Sequence, residues 1–272
     1  MRKEFKGIAV TEVQSPDGAV AMAADHGAHL LSWTLPGGGN RLYLSETSQY
    51  GGDTAIRGGV PLIFPQFGAR GNGKRHGIVR NIQWQLEFSG VEAGKGVLRY
   101  SLSSDASWQD RFKLQYEIVF DARELRLNFG IENRSDHAWQ CCAALHTYFA
   151  VGAVDEVQVA GLHGLRYLDQ PAGGVERTQH EELLTIAGET DRIYAAARDT
   201  LILRDGAREL RIGKHGFEDV VVWNPGVEKA AGLADVVPGD AARFLCIEAG
   251  AILQPLQLAP GASWQGAQIV TV

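Results

Sequence analysis

Short runs in which apolar and polar residues alternate fill most of this 272-residue chain. Such a period of two is typical of half-buried β-strands, whereas an amphipathic helix repeats its apolar residues about every 3.6 positions. The clearest runs span residues 28–35, 96–102, 112–120, 124–131, 200–204, 209–212, 220–223, 243–248 and 265–272. Turn-forming residues separate them, as in Ser15-Pro-Asp-Gly18. The pattern predicts an all-β fold, a sandwich or a barrel, with few short helices.

The length and the glycine content suit one large β domain. Glycine makes up 33 of the 272 residues, or about 12%, whereas the usual share is about 7%. This excess fits a chain with many tight turns. No repeat, low-complexity tract or linker divides the sequence. We therefore expect a single domain over residues 1–272.

The cysteines and the apolar runs bear on the compartment and the partners. Cys141, Cys142 and Cys246 are odd in number, and adjacent cysteines cannot easily bridge each other. The amino terminus has no apolar signal segment, and no apolar run approaches the ~18 residues of a membrane span. These features predict a cytoplasmic protein with no membrane partner. The net charge of −6 argues against a nucleic-acid partner, because phosphate backbones are bound by a broad basic face.

One basic segment interrupts the acidic chain. Residues 54–86 contain five Arg or Lys, six Gly and no Asp or Glu, so this basic segment carries +5 and the rest of the chain −11. Arginine binds phosphate or carboxylate oxygens through paired hydrogen bonds, and glycine lets the backbone approach a ligand closely. The basic segment therefore indicates an anion pocket, although a solvated basic surface would have the same composition.

Two local patterns resemble ligand sites without meeting their requirements. Residues 68–74 match Gly-x-x-x-x-Gly-Lys, but Arg75 stands where a P-loop needs Ser or Thr, and no helical pattern follows. His26 and His29 have a metal-ligand spacing, but this pair supports a metal site only weakly. We expect no metal, nucleotide or redox cofactor.

Two titratable residues lie within strongly apolar runs. His146 interrupts the apolar run 141–149, on the same strand face as Cys142, Ala144 and Tyr148, and Glu248 ends the apolar run 244–248. A buried carboxylate has a raised pKa, which suits a general base near neutral pH. A hydrogen-bonded core histidine and a salt-bridged glutamate would give the same pattern. Together with the basic segment, the two residues predict acid–base chemistry on a small anionic substrate.

Several motifs in order along the chain resemble the hexose-6-phosphate mutarotases, the glucose-6-phosphate 1-epimerase branch of the aldose 1-epimerase family. The strongest is Ala55-Ile-Arg-Gly-Gly-Val-Pro-Leu-Ile-Phe-Pro-Gln-Phe-Gly68. The others occupy residues 27–33, 42–45, 76–80, 145–149, 190–194, 223–229, 234–235 and 246–250, so the resemblance covers essentially the whole chain.

The resemblance implies a fold and a reaction. The fold would be a large antiparallel β-sandwich of the galactose mutarotase-like type, with the sugar on a concave sheet face. Glu248 would take the proton of the C1 hydroxyl while His146 delivers one to the ring oxygen, so that ring opening and reclosure interconvert the α and β anomers. Such an enzyme needs no metal or other cofactor, and we expect a monomer.

The resemblance also implies how a sugar phosphate, the expected partner, would be bound. His76 would hydrogen-bond the sugar near the reacting oxygens and Asp191 would bind a hydroxyl, while Arg57 and Arg80, with Arg75 nearby, would hold the phosphate.

Two alternative functions stay open. An aldose 1-epimerase acting on neutral sugars would leave these arginines without a purpose, and a non-catalytic sugar-phosphate-binding protein would use the pocket without turnover.

Overall fold

The computed structural model describes residues 1–105, 108–197 and 200–272. The first strands are β1 (Arg2–Phe5), β2 (Ile8–Gln14), β3 (Val20–Ala24), β4 (Leu30–Thr34), β5 (Leu62–Ile63), β6 (Gln85–Glu92) and β7 (Lys95–Ser103). They are followed by β8 (Phe112–Phe120), β9 (Glu124–Asn133), β10 (Trp139–Leu145), β11 (Tyr148–Ala150), β12 (Gln158–Ala160), β13 (Arg166–Asp169) and β14 (Val175–Thr178). The last are β15 (Leu183–Thr185), β16 (Thr190–Tyr194), β17 (Thr200–Asp205), β18 (Arg208–His215), β19 (Asp219–Asn224), β20 (Phe244–Leu258) and β21 (Ser263–Thr271).

These strands form three sheets in which the described strand pairs are antiparallel. The order is β1-β2-β3-β4 in the first sheet and β14-β13-β16-β19-β20-β10-β5 in the second, where β11 also pairs with β20. The third sheet has the order β15-β12-β17-β18-β21-β9-β8-β7-β6. This architecture confirms the predicted antiparallel β-sandwich.

The main core lies between the second and third sheets, and the alternating sequence runs supply it. In β9 the alternate residues Leu125, Leu127, Phe129 and Ile131 are buried in that core, as period-two burial requires. In β20 the core face carries Leu245, Ile247 and Ala249. Glu248 therefore points to the opposite face of the second sheet, away from this core.

The helices are few and short, as predicted. The helix α1 spans Gly226–Ala230, and 3-10 turns occupy Val79–Asn81 and Asp240–Arg243. No helix among the described residues is long and apolar enough to cross a bilayer. The three cysteines are buried and unbridged.

The position of Glu248 at the end of its strand was predicted wrongly, because β20 continues for ten residues beyond it. The register between β20 and β10 shifts beyond Ala251, and this shift is a β-bulge in β20. The backbone N–H groups of Ile252 and Leu253 at this bulge both donate to the Asp219 carboxylate at 2.8 Å. Asp219 thus supplies the acceptors that the ladder loses, and the strand resumes beyond the bulge.

Candidate active site

Strand register places His146 opposite Glu248 on the second sheet. Ala144 of β10 pairs with Gly250 of β20, and Tyr148 of β11 pairs with Cys246. If the same residue-by-residue pairing is continued across the gap between β10 and β11, His146 lies opposite Glu248. The His146 Nδ1 and Glu248 Oε1 atoms lie 3.3 Å apart, and both side chains are almost fully buried.

The backbone N–H groups of His146 and Thr147 do not bond to β20. The segment that leads into β5, on the opposite side of β10, holds His146 instead. The His146 N–H donates to the Pro61 carbonyl at 3.0 Å, and the Thr147 N–H donates to the Leu145 carbonyl at 3.0 Å. Pro61 immediately precedes β5, whose pairing with β10 this hydrogen bond continues. His146 therefore lies at a break between two strands, supported by the segment that also contains Arg57.

Three aromatic rings fix the orientation of the His146 imidazole. Tyr148 stacks on it with ring centroids 4.9 Å apart and an angle of 7°. His76 and Trp223 contact it edge-on, with centroids 5.7 and 5.8 Å away. Packing on several sides leaves the ring little rotational freedom, which is the preorganisation that acid–base catalysis needs.

The pair has unused hydrogen-bonding capacity. Among the residues that the structure describes, neither His146 Nδ1 nor Glu248 Oε2 has a hydrogen-bond partner, although both atoms are buried. The 3.3 Å contact is thus close enough for an ion pair but is not a well-aligned hydrogen bond. Buried polar atoms without a partner are rare and costly, and at a site they are available to a ligand.

Burial favours the uncharged forms of both groups. It raises the pKa of Glu248 well above its ordinary 4.5, and the nearby Asp191 charge adds to the effect, whereas Arg80 opposes it. Burial also lowers the pKa of His146 well below 6.5, and the charges of His76, Arg80 and Arg57 act in the same direction. A protonated Glu248 beside a neutral His146 holds one proton, the same number as a carboxylate beside an imidazolium.

His76 is a neutral hydrogen-bond donor. Its Nδ1 accepts the Gly68 backbone N–H at 3.3 Å, which places the ring proton on Nε2. Burial lowers the pKa of His76 to about 3, and Arg80, Arg75 and Arg57 contribute further in that order. The ring therefore stays uncharged and keeps an N–H for a ligand.

Arg57 is held by protein groups. Its Nε and Nη2 donate to the two Asp235 carboxylate oxygens at 3.1 and 3.2 Å, and its Nη1 donates to the Tyr148 hydroxyl at 3.0 Å. The guanidinium also lies over the Trp223 ring, 5.7 Å from its centroid. Asp235 thus neutralises Arg57 and fixes it beside the ring that stacks on His146.

Arg80 and Arg75 supply positive charge that is less fully paired. Arg80 Nε is buried with no hydrogen-bond partner among the described residues, and its Nη2 reaches the Arg75 carbonyl at 3.4 Å. Burial lowers the pKa of Arg80 to about 10, with repulsion from Arg57 and Arg75 adding to this. Arg75 is exposed, and its charge acts on His76 and Asp191. A bound anion would relieve this repulsion.

Asp191 completes the set of residues expected from the sequence. It pairs with Trp223 across β16 and β19, on the same side of the sheet as the acid–base pair. The side chain is half-buried, and burial raises its pKa, while Lys229 and Arg75 oppose this rise. The structure thus brings all seven expected site residues into one region: Arg57, Arg75, His76, Arg80, His146, Asp191 and Glu248.

Three further side chains shape the site and were not among the expected residues. Tyr148 could have been found, since it follows His146 by two positions and therefore shares its strand face. Trp223 lies opposite Asp191 and touches both His146 and Arg57. Asp235 is 178 residues from Arg57 in sequence, so no local pattern could reveal their pairing.

The two motifs that fell short of ligand sites have structural roles. His29 Nε2 lies 2.7 Å from the Gly58 carbonyl, and burial lowers the pKa of His29 to about 4. Gly59 has a φ of +59°, and a Cβ there would lie 2.2 Å from the Leu30 carbonyl. His29 and Gly59 together fix the turn after Arg57.

In the P-loop-like segment the Gly73 N–H donates to the Gln66 side chain, and a 3-10 turn of three residues follows.

Comparison with known proteins places the chain in a family. Residues 10–271 match the family model described as aldose 1-epimerase. A protein of Escherichia coli K12, provisionally named glucose-6-phosphate 1-epimerase, is 31% identical over 84% of this chain and 78% of its own length. A protein of Cenchrus ciliaris with the same provisional name is 29% identical over 89% of this chain and 78% of its own length.

A solved structure agrees with these sequence matches. The crystal structure of a provisionally named mutarotase from Salmonella typhimurium superposes with a TM-score of 0.91 at 27% identity, covering 99% of this chain and 92% of that one. The galactose mutarotase-like sandwich implied by the sequence motifs is therefore confirmed. Given a family model that spans nearly its whole length, this chain belongs to the aldose 1-epimerase family.

Proposed function

We propose that this protein is an isomerase that interconverts the α and β anomers of a hexose 6-phosphate, with glucose 6-phosphate as the substrate. The observation that carries the proposal is the buried His146–Glu248 pair, 3.3 Å apart, with unused hydrogen-bonding atoms on both partners. Family membership and the provisional names of the relatives support the same reaction.

The pair opens and closes the sugar ring by moving two protons. The Glu248 carboxylate removes the C1 hydroxyl proton while the His146 imidazolium protonates the ring oxygen, and the bond between C1 and that oxygen breaks. The O–H electrons of the C1 hydroxyl form the aldehyde carbonyl, and the electrons of the broken C1–O bond stay on the ring oxygen, which becomes a hydroxyl. Rotation about the C1–C2 bond presents the other face of the carbonyl, and reclosure returns both protons.

One shared proton serves both directions of this reaction. After ring opening, Glu248 holds a proton and His146 is neutral, which are the forms that burial favours in the free site. The environment therefore favours the protonation state of the open-chain intermediate. This reduces the energy gap between the intermediate and the ring forms, where the pair carries opposite charges.

The surrounding side chains would orient the sugar phosphate. His76 offers an uncharged N–H to the sugar near C1, and Asp191 accepts a hydrogen bond from a sugar hydroxyl. Arg80, with its unpartnered buried Nε, contributes most of the phosphate binding. Arg75 adds charge from the exposed side, and Arg57 contributes only the donors that Asp235 and Tyr148 leave free.

The rate constant kcat/KM for glucose 6-phosphate is expected to follow a bell-shaped pH profile. Catalysis stops on the acid side when the pair gains a second proton and on the alkaline side when it loses its one proton. The acid limb lies below 6.5, because burial lowers the pKa of His146, and the alkaline limb lies well above 4.5, because burial raises the pKa of Glu248. A rate that only rises with pH, through a midpoint at or above 6.5, would contradict a shared proton.

A comparison of glucose with glucose 6-phosphate tests the substrate class. Anomer exchange is measured by NMR for both sugars at equal concentration, and the spontaneous rate in the same buffer is subtracted. We expect faster catalysed exchange for the phosphorylated sugar. Equal kcat/KM values would favour a neutral aldose as substrate, and binding of glucose 6-phosphate without exchange would favour a non-catalytic binding protein.

A further inference from the structure

We infer that Gln268 of β21, in the opposite sheet, is a positioning residue that sets the distance and orientation of His146 relative to Glu248. The inference rests on the proposed function, because it assigns a role in the same reaction. Gln268 is 1% exposed and lies among core residues, where an uncharged amide needs partners for both of its ends.

The need for Gln268 arises from the break in the ladder beside His146. Thr147 and Ile247 are opposite each other in the register of β11 and β20, and the Ile247 N–H donates to the Thr147 carbonyl at 3.2 Å. In a regular antiparallel pair the Thr147 N–H would donate back to the Ile247 carbonyl. It donates instead to the Leu145 carbonyl, so the Ile247 carbonyl loses its ladder donor.

The Gln268 side chain replaces that missing donor. Its Nε2 donates to the Ile247 carbonyl at 2.9 Å, and its Oε1 accepts a hydrogen bond from the Thr147 hydroxyl. One amide group therefore adds a link between the two strands at the position where their backbones make only one of the two ladder hydrogen bonds. Without it, a buried carbonyl and a buried hydroxyl would both lack a partner.

This bridge acts on the residues adjacent to the acid and the base. Thr147 follows His146 directly, and Ile247 precedes Glu248 directly. The bridge therefore ties the Thr147 side chain and the Ile247 backbone to one amide group. Gln268 points to the core face and the acid–base pair to the opposite face, so Gln268 does not contact a substrate there. Its effect is expected on the reacting geometry, where an error of about 1 Å can cost 10²-fold in rate.

The variant Gln268→Met tests the inference, since it keeps an unbranched side chain of similar length and removes both hydrogen bonds. We expect kcat for glucose 6-phosphate to fall by about 10- to 100-fold with little change in KM. The nitrogen-15 resonances of the His146 imidazole and their pH dependence should shift in the same variant, which reports the change in pairing with Glu248 independently of turnover. Thr147→Val removes one hydrogen bond of the bridge with little change in volume and should shift both readouts in the same direction.

Val270→Ala is the matched control. Val270 lies two residues further along β21, on the same core face, and is 1% exposed. Its truncation lowers stability through lost packing and should leave kcat and the His146 resonances unchanged. The inference is overturned if Gln268→Met and Thr147→Val behave like Val270→Ala in both readouts. A wild-type protein without turnover would contradict the proposed function alone, because the His146 resonances still test the bridge.

Discussion

Replacement of Glu248 by glutamine is expected to lower kcat for glucose 6-phosphate by about 10²- to 10⁴-fold, the usual loss when a positioned acid or base is removed. Glutamine keeps the shape of the side chain but cannot accept the C1 hydroxyl proton. Because one Glu248 carboxylate oxygen is buried without a hydrogen-bond partner, the same change should leave the thermal midpoint of unfolding unchanged or higher. The rate is measured by anomer exchange and the midpoint by calorimetry.

The combination of these two results distinguishes catalysis from a structural role. A residue that mainly stabilises the fold would lower the midpoint when altered, whereas a catalytic carboxylate buried at a cost would not. His146→Ala, made alone and together with Glu248→Gln, provides the companion test, because residues that act as one unit show losses that do not add. Turnover close to wild type in Glu248→Gln would remove this residue from the mechanism.

The second large effect is expected at Arg80. Arg80→Gln should reduce kcat/KM for glucose 6-phosphate by about 10- to 100-fold, as expected from losing a charged hydrogen bond of about 1.5–3 kcal/mol. The same variant should scarcely change the rate with glucose, which has no phosphate. Steady-state rates with both sugars give the ratio of kcat/KM for glucose 6-phosphate to kcat/KM for glucose. A fall in this ratio measures the loss of preference for the phosphorylated sugar.

Arg70→Gln is the matched control for Arg80→Gln. Arg70 lies in the same basic segment and is exposed, so the control removes one positive charge without removing a donor placed beside His76. A general loss of attraction for anions would affect both variants equally. Equal losses in the two variants, or an equal loss on glucose and glucose 6-phosphate in Arg80→Gln, would contradict the assigned phosphate contact.

The alternation of apolar residues was sufficient to predict the fold class and the positions of nine of the 21 described strands. The run at 112–120 corresponds to a strand with the same bounds, because each alternate residue there faces the main core. The length of β20 was not predictable from the same pattern. Its bulge depends on the Asp219 carboxylate, which lies more than thirty residues away in sequence.

The sequence identified His146, Glu248 and the arginines of the basic segment as candidate site residues. It did not show which side chains contact each other. Two titratable residues on apolar runs were visible, whereas their 3.3 Å approach depends on a register between strands far apart in the chain. The Asp235 carboxylate that neutralises Arg57 was likewise hidden. For this reason our proposal gives Arg80, rather than Arg57, the larger part in phosphate binding.

The most direct test of the central proposal is two-dimensional exchange NMR of glucose 6-phosphate with purified wild-type protein. Cross-peaks between the α and β anomeric protons report interconversion at equilibrium, with no coupling enzyme or cofactor. We expect the exchange rate to rise in proportion to protein concentration and to return to the spontaneous rate with Glu248→Gln. A wild-type exchange rate equal to that of buffer alone would contradict the proposal.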